Sequence, residues 1–82
     1  MVKIKRQMDM ELFSGRELDN AIEHVADEAC QKLEDHLGKK GISLGYKGRF
    51  KCMQYVKEKV RFTPAYAYVT VSLKNMDKAV GE

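Results

Sequence analysis

Side chains that could do chemistry are sparse in this chain of 82 residues, and their spacing matches no catalytic motif. His24 and Glu28 stand four residues apart, as two metal ligands on one helix face can, but no Cys-x-x-Cys or His-Glu-x-x-His completes the set. Cys52 follows Lys51, which favours a thiolate, yet no general base can be assigned to it from the sequence. We therefore predict no catalytic residue, no metal site, no cofactor and no enzymatic activity.

Tyrosines among basic side chains are the other candidate for chemistry. On a sheet, aromatic rings stack on nucleic-acid bases while lysines and arginines neutralise phosphates. Tyrosines are also enriched at protein–protein contacts, and they are ordinary on the wet face of an antiparallel sheet. The residues that we predict to bind a partner or nucleic acid are Lys51, Tyr55, Lys57, Lys59, Arg61, Tyr66 and Tyr68.

Charge is segregated along the chain, although the net charge is only +3. Residues 9–36 hold nine acidic and two basic residues, whereas residues 39–61 hold eight basic and one acidic. The acidic face of the first half, represented by Glu23, Asp27 and Glu34, is expected to be solvated. The alternative is that it docks on a basic surface, including the basic stretch of a second copy.

The longest element predicted is a helix over residues 14–38. Ser14 and Glu17 have the spacing of a capping box, and Gly38 has the place of a C-terminal cap. The apolar residues recur at steps of three and four, which places them on one face. They are Leu18, Ile22, Val25, Ala29, Leu33 and Leu37.

Alternating apolar residues predict three strands. Residues 2–13 alternate around Val2, Ile4, Met8, Met10 and Leu12, with Arg6 as an interruption near a sheet end or edge. A strand begins near Ile42 or resumes at Arg49 and runs to Phe62, although a second helix is the competing interpretation of residues 49–62. Thr63 to Ala65 is the predicted turn. Residues 66–74 form the third strand, with Ala67, Val69, Val71 and Leu73 facing inward.

These elements predict an α+β fold in the order β-α-β-β. One long helix packs on one face of a three-stranded antiparallel sheet. If the crossover from the first strand to the second is right-handed, the third strand can lie between them, although the sequence does not fix the strand order. Residues 1–74 make the single domain, and residues 75–82 are a flexible C-terminal tail. The uncovered sheet face is expected to carry Lys3, Lys5, Phe13, Lys51, Met53, Tyr55, Lys57, Lys59, Arg61, Tyr66 and Tyr68.

Composition excludes several classes of protein. No apolar run approaches the ~20 residues of a membrane span, and the basic start is not followed by the apolar region of a secretory signal. Two cysteines do not make a disulfide scaffold, and Cys30, on the helix stripe, is expected to be a small buried hydrophobe. A cytoplasmic location is the expectation.

The expected function is a small non-catalytic protein-binding or assembly module that acts through the uncovered sheet face. A core this thin favours self-association, so a homo-oligomer is expected, of the accessory, adaptor or inhibitor type found in bacteria or phages. The alternative is a nucleic-acid-binding module that uses the basic, tyrosine-bearing face. No membrane and no small-molecule substrate are inferred.

Overall fold

A computed structural model describes residues 1–7 and 15–81 and shows an α+β fold. Its elements are β1 (Val2–Gln7), α1 (Gly15–Gly38), α2 (Gly45–Lys59), β2 (Arg61–Phe62), β3 (Tyr66–Val71) and α3 (Leu73–Gly81). The predicted continuation of the first strand beyond Gln7, with Phe13 and the capping residue Ser14, lies outside the described residues.

The three strands form an antiparallel sheet, as predicted, and their order β1-β3-β2 makes β3 the central strand. Val2 lies opposite Val71 and Ile4 opposite Val69, and these four side chains are buried with Ala67 on the inward face. The reversal between β2 and β3 falls at residues 63–65, where predicted. The Thr63 backbone N–H donates to the Tyr66 carbonyl over 2.9 Å, which closes the hairpin.

Helix α1 packs on the inward face of the sheet through the later part of the predicted apolar stripe, from Val25 to Leu37, whereas Leu18 and Ile22 are half-buried. Its buried residues are Ala21, Val25, Ala26, Ala29, Cys30, Leu33 and Leu37. Small side chains allow close approach, so Leu33 and Val25 reach the β1 and β3 side chains and form the centre of the core. Arg6, the interruption in the first strand, is exposed near the described end of this edge strand, where its head reaches water.

The prediction of a strand over residues 49–62 is wrong, because residues 45–59 form helix α2 and only residues 61–62 are strand. The side chains buried from α2 are Cys52 and Val56, four residues apart, as one helix face requires. Phe50, which supported the alternating pattern, is 57% exposed. The predicted strand start at Ile42 is wrong too, because the chain there is irregular and enters α2 through Gly45 at φ +72°.

The C-terminal residues form helix α3 rather than the patternless tail expected at 75–82. Met76 is fully buried in the core, and Leu73 and Val80 pack against it at helical spacing. The Ser72 hydroxyl accepts a hydrogen bond from the Asn75 backbone N–H over 3.1 Å and so caps the helix start. The third strand consequently ends at Val71 instead of Lys74, because Ser72 redirects the chain.

The architecture is therefore β-α-α-β-β-α, and the single-helix layer predicted for the inward face is wrong. Both α1 and α2 contact β3, and α3 packs on α2. The outward face carries no described helix: Lys3, Lys5 and Thr70 are exposed, and Tyr66 and Tyr68 are half-buried. In the described part of the chain, this face of the sheet is open to solvent.

Candidate functional site

The outward positions of the sheet, called the sheet face from here on, bring basic and aromatic side chains together. Because the pleat alternates, residues paired across the strands share this face with every second residue along them. The register places Lys3 opposite Thr70, Lys5 opposite Tyr68, and Arg61 on the other side of Tyr68. The complete set is Lys3, Lys5, Gln7, Arg61, Tyr66, Tyr68 and Thr70.

The two tyrosines are in contact and one lysine covers one of them. The Tyr66 and Tyr68 ring centroids lie 5.7 Å apart with the rings at 64°, an edge-to-face pair. The Lys5 ammonium lies 4.0 Å from the Tyr66 ring centroid, reaching diagonally across the strands. A shallow depression of about 190 Å³ runs between these side chains, with Lys3 and Thr70 on its wall.

The sheet face is uniformly cationic in its charged groups, because no acidic residue stands at an outward position of the three described strands. Arg61 already makes hydrogen bonds within the chain. Its Nη1 donates to the Glu58 and Val60 carbonyls, each over 3.2 Å, at the C-terminal end of α2. The cations that project from the sheet face are therefore chiefly Lys3 and Lys5. Such an arrangement attracts anions and offers aromatic rings beside them.

The structure separates the predicted binding residues. Lys51, Tyr55, Lys57 and Lys59 lie on α2, whereas Tyr66 and Tyr68 lie on β3. The expectation of one common face depended on a strand at residues 49–62 and fails with it. Lys3 and Lys5, which the sequence already places on the outward face, lie beside the tyrosines in the structure.

Tyr55 and Lys59 instead border a groove between α2 and α3. The Lys59 ammonium lies 5.5 Å from the Tyr55 ring centroid, and the open groove has a volume of about 360 Å³. Glu58 and Lys78 also line it, so both signs of charge are present. The groove therefore carries both positive and negative side chains, whereas the charged side chains at the described outward positions of the sheet are all positive.

Three acidic side chains of α1 pair with basic side chains of α2, although Glu23 and Asp27 remain 64% and 63% exposed, as expected for a solvated face. Arg49 binds both Asp27 and Glu34, the latter over 2.9 Å from Nη1 to Oε1, and Lys57 lies 3.7 Å from Glu23. Burial alone would lower the pKa of the Arg49 guanidinium, but the hydrogen bonds to the two carboxylates raise it above its ordinary value. The charge segregation in the sequence therefore contributes to contact between two helices of one molecule.

A third surface is apolar and lies at the start of α2. Ile42 is 50% exposed, Tyr46 90% and Phe50 57%, at intervals of four residues. Tyr46 and Phe50 line a shallow depression of about 290 Å³ together with Lys47 and Lys51. These three side chains, called the apolar ridge, form no part of the sheet face.

Two free cysteines meet in the core between α1 and α2. Cys30 and Cys52 are fully buried, and their sulfur atoms are 2.9 Å apart. The hydrogen bond from Cys30 to Cys52, together with burial, raises the pKa of Cys30, and the same bond lowers the pKa of Cys52. Sequence patterns missed this contact because it forms only when residues 45–59 are helical.

His24 and Glu28, the pair with metal-ligand spacing, are both exposed on α1. Across residues 1–7 and 15–81, no three histidine, cysteine or acidic side chains come close enough to hold a metal ion. In the same part of the chain, no helix combines the length and apolar character that a bilayer crossing requires.

Comparison with known proteins gives no information on function. No protein-family model, no curated protein and no solved structure matches the chain.

Proposed function

We propose that the protein is a non-catalytic binding module and that its sheet face binds single-stranded nucleic acid. The observation that carries the proposal is the grouping of Lys3, Lys5, Tyr66 and Tyr68 on one face of the sheet. Within residues 1–7 and 15–81, no helix covers this face and no acidic residue stands at an outward strand position. Nucleic acid is the ligand class that offers aromatic rings and negative charge together along one chain.

The tyrosines supply the stacking surface. Tyr66 and Tyr68 stand on the central strand, so their rings are supported by neighbouring strands on both sides. Lys5 already lies over the Tyr66 ring, so Tyr68 is proposed as the ring on which a base stacks. Stacking of bases on aromatic side chains is tolerant of sequence, so weak sequence preference is expected.

The lysines supply the phosphate contacts. Lys3 and Lys5 flank the tyrosines from the edge strand, where an extended backbone can pass. Glu23, Asp27 and Glu34 do not compete for them, because they pair with Lys57 and Arg49 on another side of the molecule. Affinity is therefore expected to fall with salt, with a log–log slope of about −0.7 per phosphate contacted.

Fluorescence anisotropy with labelled single-stranded DNA and RNA at low salt tests the proposal. Tyr68→Ala is expected to weaken binding by roughly tenfold, because ~1–3 kcal/mol of stacking is lost per base. Tyr68→Phe should retain most of the affinity, because the ring remains. Tyr46→Ala is the matched control, since Tyr46 is a tyrosine on the apolar ridge.

Two results would contradict the proposal. One is the absence of binding to either nucleic acid at low salt. The other is a loss of affinity in Tyr46→Ala as large as that in Tyr68→Ala, since binding would then not depend on the sheet face. A circular dichroism spectrum for each variant separates lost binding from lost folding.

A second candidate function, protein binding or self-association, is favoured by the apolar ridge. Exposed apolar side chains on successive turns mark protein contacts. If two copies paired through the sheet face, their lysines would repel each other. A homo-oligomer is therefore expected to form through Ile42, Tyr46 and Phe50. The two free cysteines favour a reducing compartment such as the cytoplasm for either function.

Light scattering after size exclusion tests this second candidate. A homo-oligomer should have a multiple of the 9.4 kDa chain mass, and Phe50→Asp should return it to the monomer. The matched control is Lys47→Asp, which places the same charge beside the ridge without removing an apolar side chain. A monomer at all micromolar concentrations would contradict self-association and leave nucleic-acid binding unaffected.

A further inference from the structure

The contact between Cys30 and Cys52 joins the middle of one helix to the middle of the next. Cys30 belongs to α1 (Gly15–Gly38) and Cys52 to α2 (Gly45–Lys59), and both side chains are fully buried. Their sulfur atoms are 2.9 Å apart. Because the two sulfurs already touch, a covalent bond between them requires little movement of either helix.

We propose that Cys30 and Cys52 are a redox modification site, which a low-molecular-weight disulfide oxidises to an intramolecular disulfide that ties α1 to α2. The binding surfaces described above take no part in this reaction, so the inference is independent of the proposed function. The oxidant belongs to the chemical class of glutathione disulfide.

The surroundings favour Cys52 as the thiol that reacts first. Its sulfur accepts the hydrogen bond from Cys30, which lowers the pKa of Cys52, while burial opposes that effect and the nearby Arg49 guanidinium adds to it. The Cys30 thiol is the donor, and this bond together with burial raises its pKa. In the closed fold this arrangement favours a thiolate on Cys52 over one on Cys30. When α2 opens, the bond from Cys30 breaks, but Arg49 lies on the same helix as Cys52 and moves with it.

The reaction proceeds by two thiol–disulfide exchanges. The Cys52 thiolate attacks one sulfur of the oxidant, forms a mixed disulfide and releases one thiol of the oxidant. Cys30 then loses its proton, and its thiolate attacks the Cys52 sulfur, which expels the second thiol. Two protons and two electrons pass from the cysteine pair to the oxidant, whose single S–S bond becomes two thiols.

Access to the buried pair comes from opening of α2. Helix α2 buries only Cys52 and Val56 fully, against seven buried residues in α1, and its N-cap residue Leu44 makes no side-chain cap. Helix α2 also packs on α3 and β3, so the opening that exposes the pair is a local separation of α2 from α1 rather than unfolding of the whole domain. Opening of α2 exposes Cys52, and its return brings the mixed disulfide to Cys30.

Intact-mass spectrometry of the full chain after incubation with excess glutathione disulfide tests the inference. The wild-type protein is expected to lose the mass of two hydrogen atoms and to become resistant to thiol alkylation in denaturant, where both buried thiols of the reduced chain react. Its melting temperature should rise by about 10 °C, because a cross-link over some twenty residues constrains the unfolded chain. Dithiothreitol should reverse both changes.

The variants Cys30→Ala and Cys52→Ala are the controls. Each keeps one thiol, so neither should lose two hydrogens or gain thermal stability on oxidation. Unaltered mass and full alkylation of the wild-type chain after oxidation would overturn the inference. So would accumulation of glutathione mixed disulfides on both cysteines without closure. These readouts use the wild-type protein, so a variant that fails to fold leaves the test intact.

Discussion

At the scale of single residues, Arg49 is the side chain that most clearly joins the two halves of the charge pattern. It contacts Asp27 and Glu34 of α1 from α2, and its side chain is 24% exposed. Exposed ion pairs contribute little, but a guanidinium held between two carboxylates is better ordered than a single pair. The sequence around Arg49 does not predict these two ion pairs, because they form only when α1 and α2 pack together.

Removing the Arg49 charge should destabilise the fold modestly. Arg49→Met keeps the aliphatic stem and removes the guanidinium, so the free energy of unfolding is expected to fall by about 1 kcal/mol in urea titrations. Lys47→Met is the matched control, since Lys47 is an exposed α2 residue with no ion pair to a described residue. A fall no larger than in the control would show that Arg49 does not stabilise the helix pair.

A double-mutant cycle measures the Arg49–Glu34 pair alone. The single variants Arg49→Met and Glu34→Gln and their combination should give a coupling energy of about 0.5 kcal/mol. Raising the salt concentration should reduce it, because charges near the surface are screened. A coupling energy of zero at low salt would contradict the pairing.

At the scale of elements, α3 is part of the core although its sequence gives a short signal. Leu73, Met76 and Val80 fill just over two turns, too few repeats for a helical period to stand out. The sequence predicts a strand where α2 lies for a related reason. Its residues alternate in polarity by composition, while only Cys52 and Val56 are buried, too few for a helical stripe to stand out.

Truncating Met76 tests the docking of α3. Met76→Ala is expected to lower the free energy of unfolding by about 2–4 kcal/mol, because it leaves a cavity among α1, α2 and α3. Lys74→Ala changes an exposed residue of the same helix and should alter stability by less than about 0.5 kcal/mol. Equal, small effects from both substitutions would indicate that α3 does not pack on the core.

Gly48 marks the closest approach of α2 to α3. A Cβ built on Gly48 would lie 3.2 Å from Leu44 and 3.2 Å from Val80, whereas nothing lies within 4 Å of one at Gly15. Gly48→Val is therefore expected to destabilise the fold by about 1–3 kcal/mol through overpacking. Gly15→Val is the control, and the comparison is made by thermal unfolding. Similar melting temperatures for the two variants would contradict close packing at Gly48.

The regular elements that sequence patterns predicted well are those with long or clean periods. Helix α1 repeats its apolar stripe over six turns, and β3 alternates without interruption, so both were found. The central position of β3 could not be fixed from the sequence, because it depends on the handedness of the connection between the first two strands. What failed was residues 45–59, where alternation and helical spacing compete and tertiary packing decides.

At the scale of the whole molecule, the helices and the sheet face lie on opposite sides of the sheet and carry different charged groups. The helices lie on the inward side and pair their opposite charges within the chain. The outward side keeps lysines and tyrosines without described acidic neighbours on the strands. Tyr66 and Tyr68 were predictable members of this site from strand parity. The exclusion of Lys51 and Tyr55 was not, because it depends on α2 being a helix.

Chemical-shift mapping by NMR with a short single-stranded oligonucleotide tests the central claim most directly. Upon titration, the largest backbone amide shifts are expected at Lys3, Lys5, Tyr68 and their neighbours on the sheet face. The amides of the apolar ridge, around Tyr46 and Phe50, should move little. Shifts confined to the ridge, or no shifts at low salt, would show that the sheet face does not bind nucleic acid.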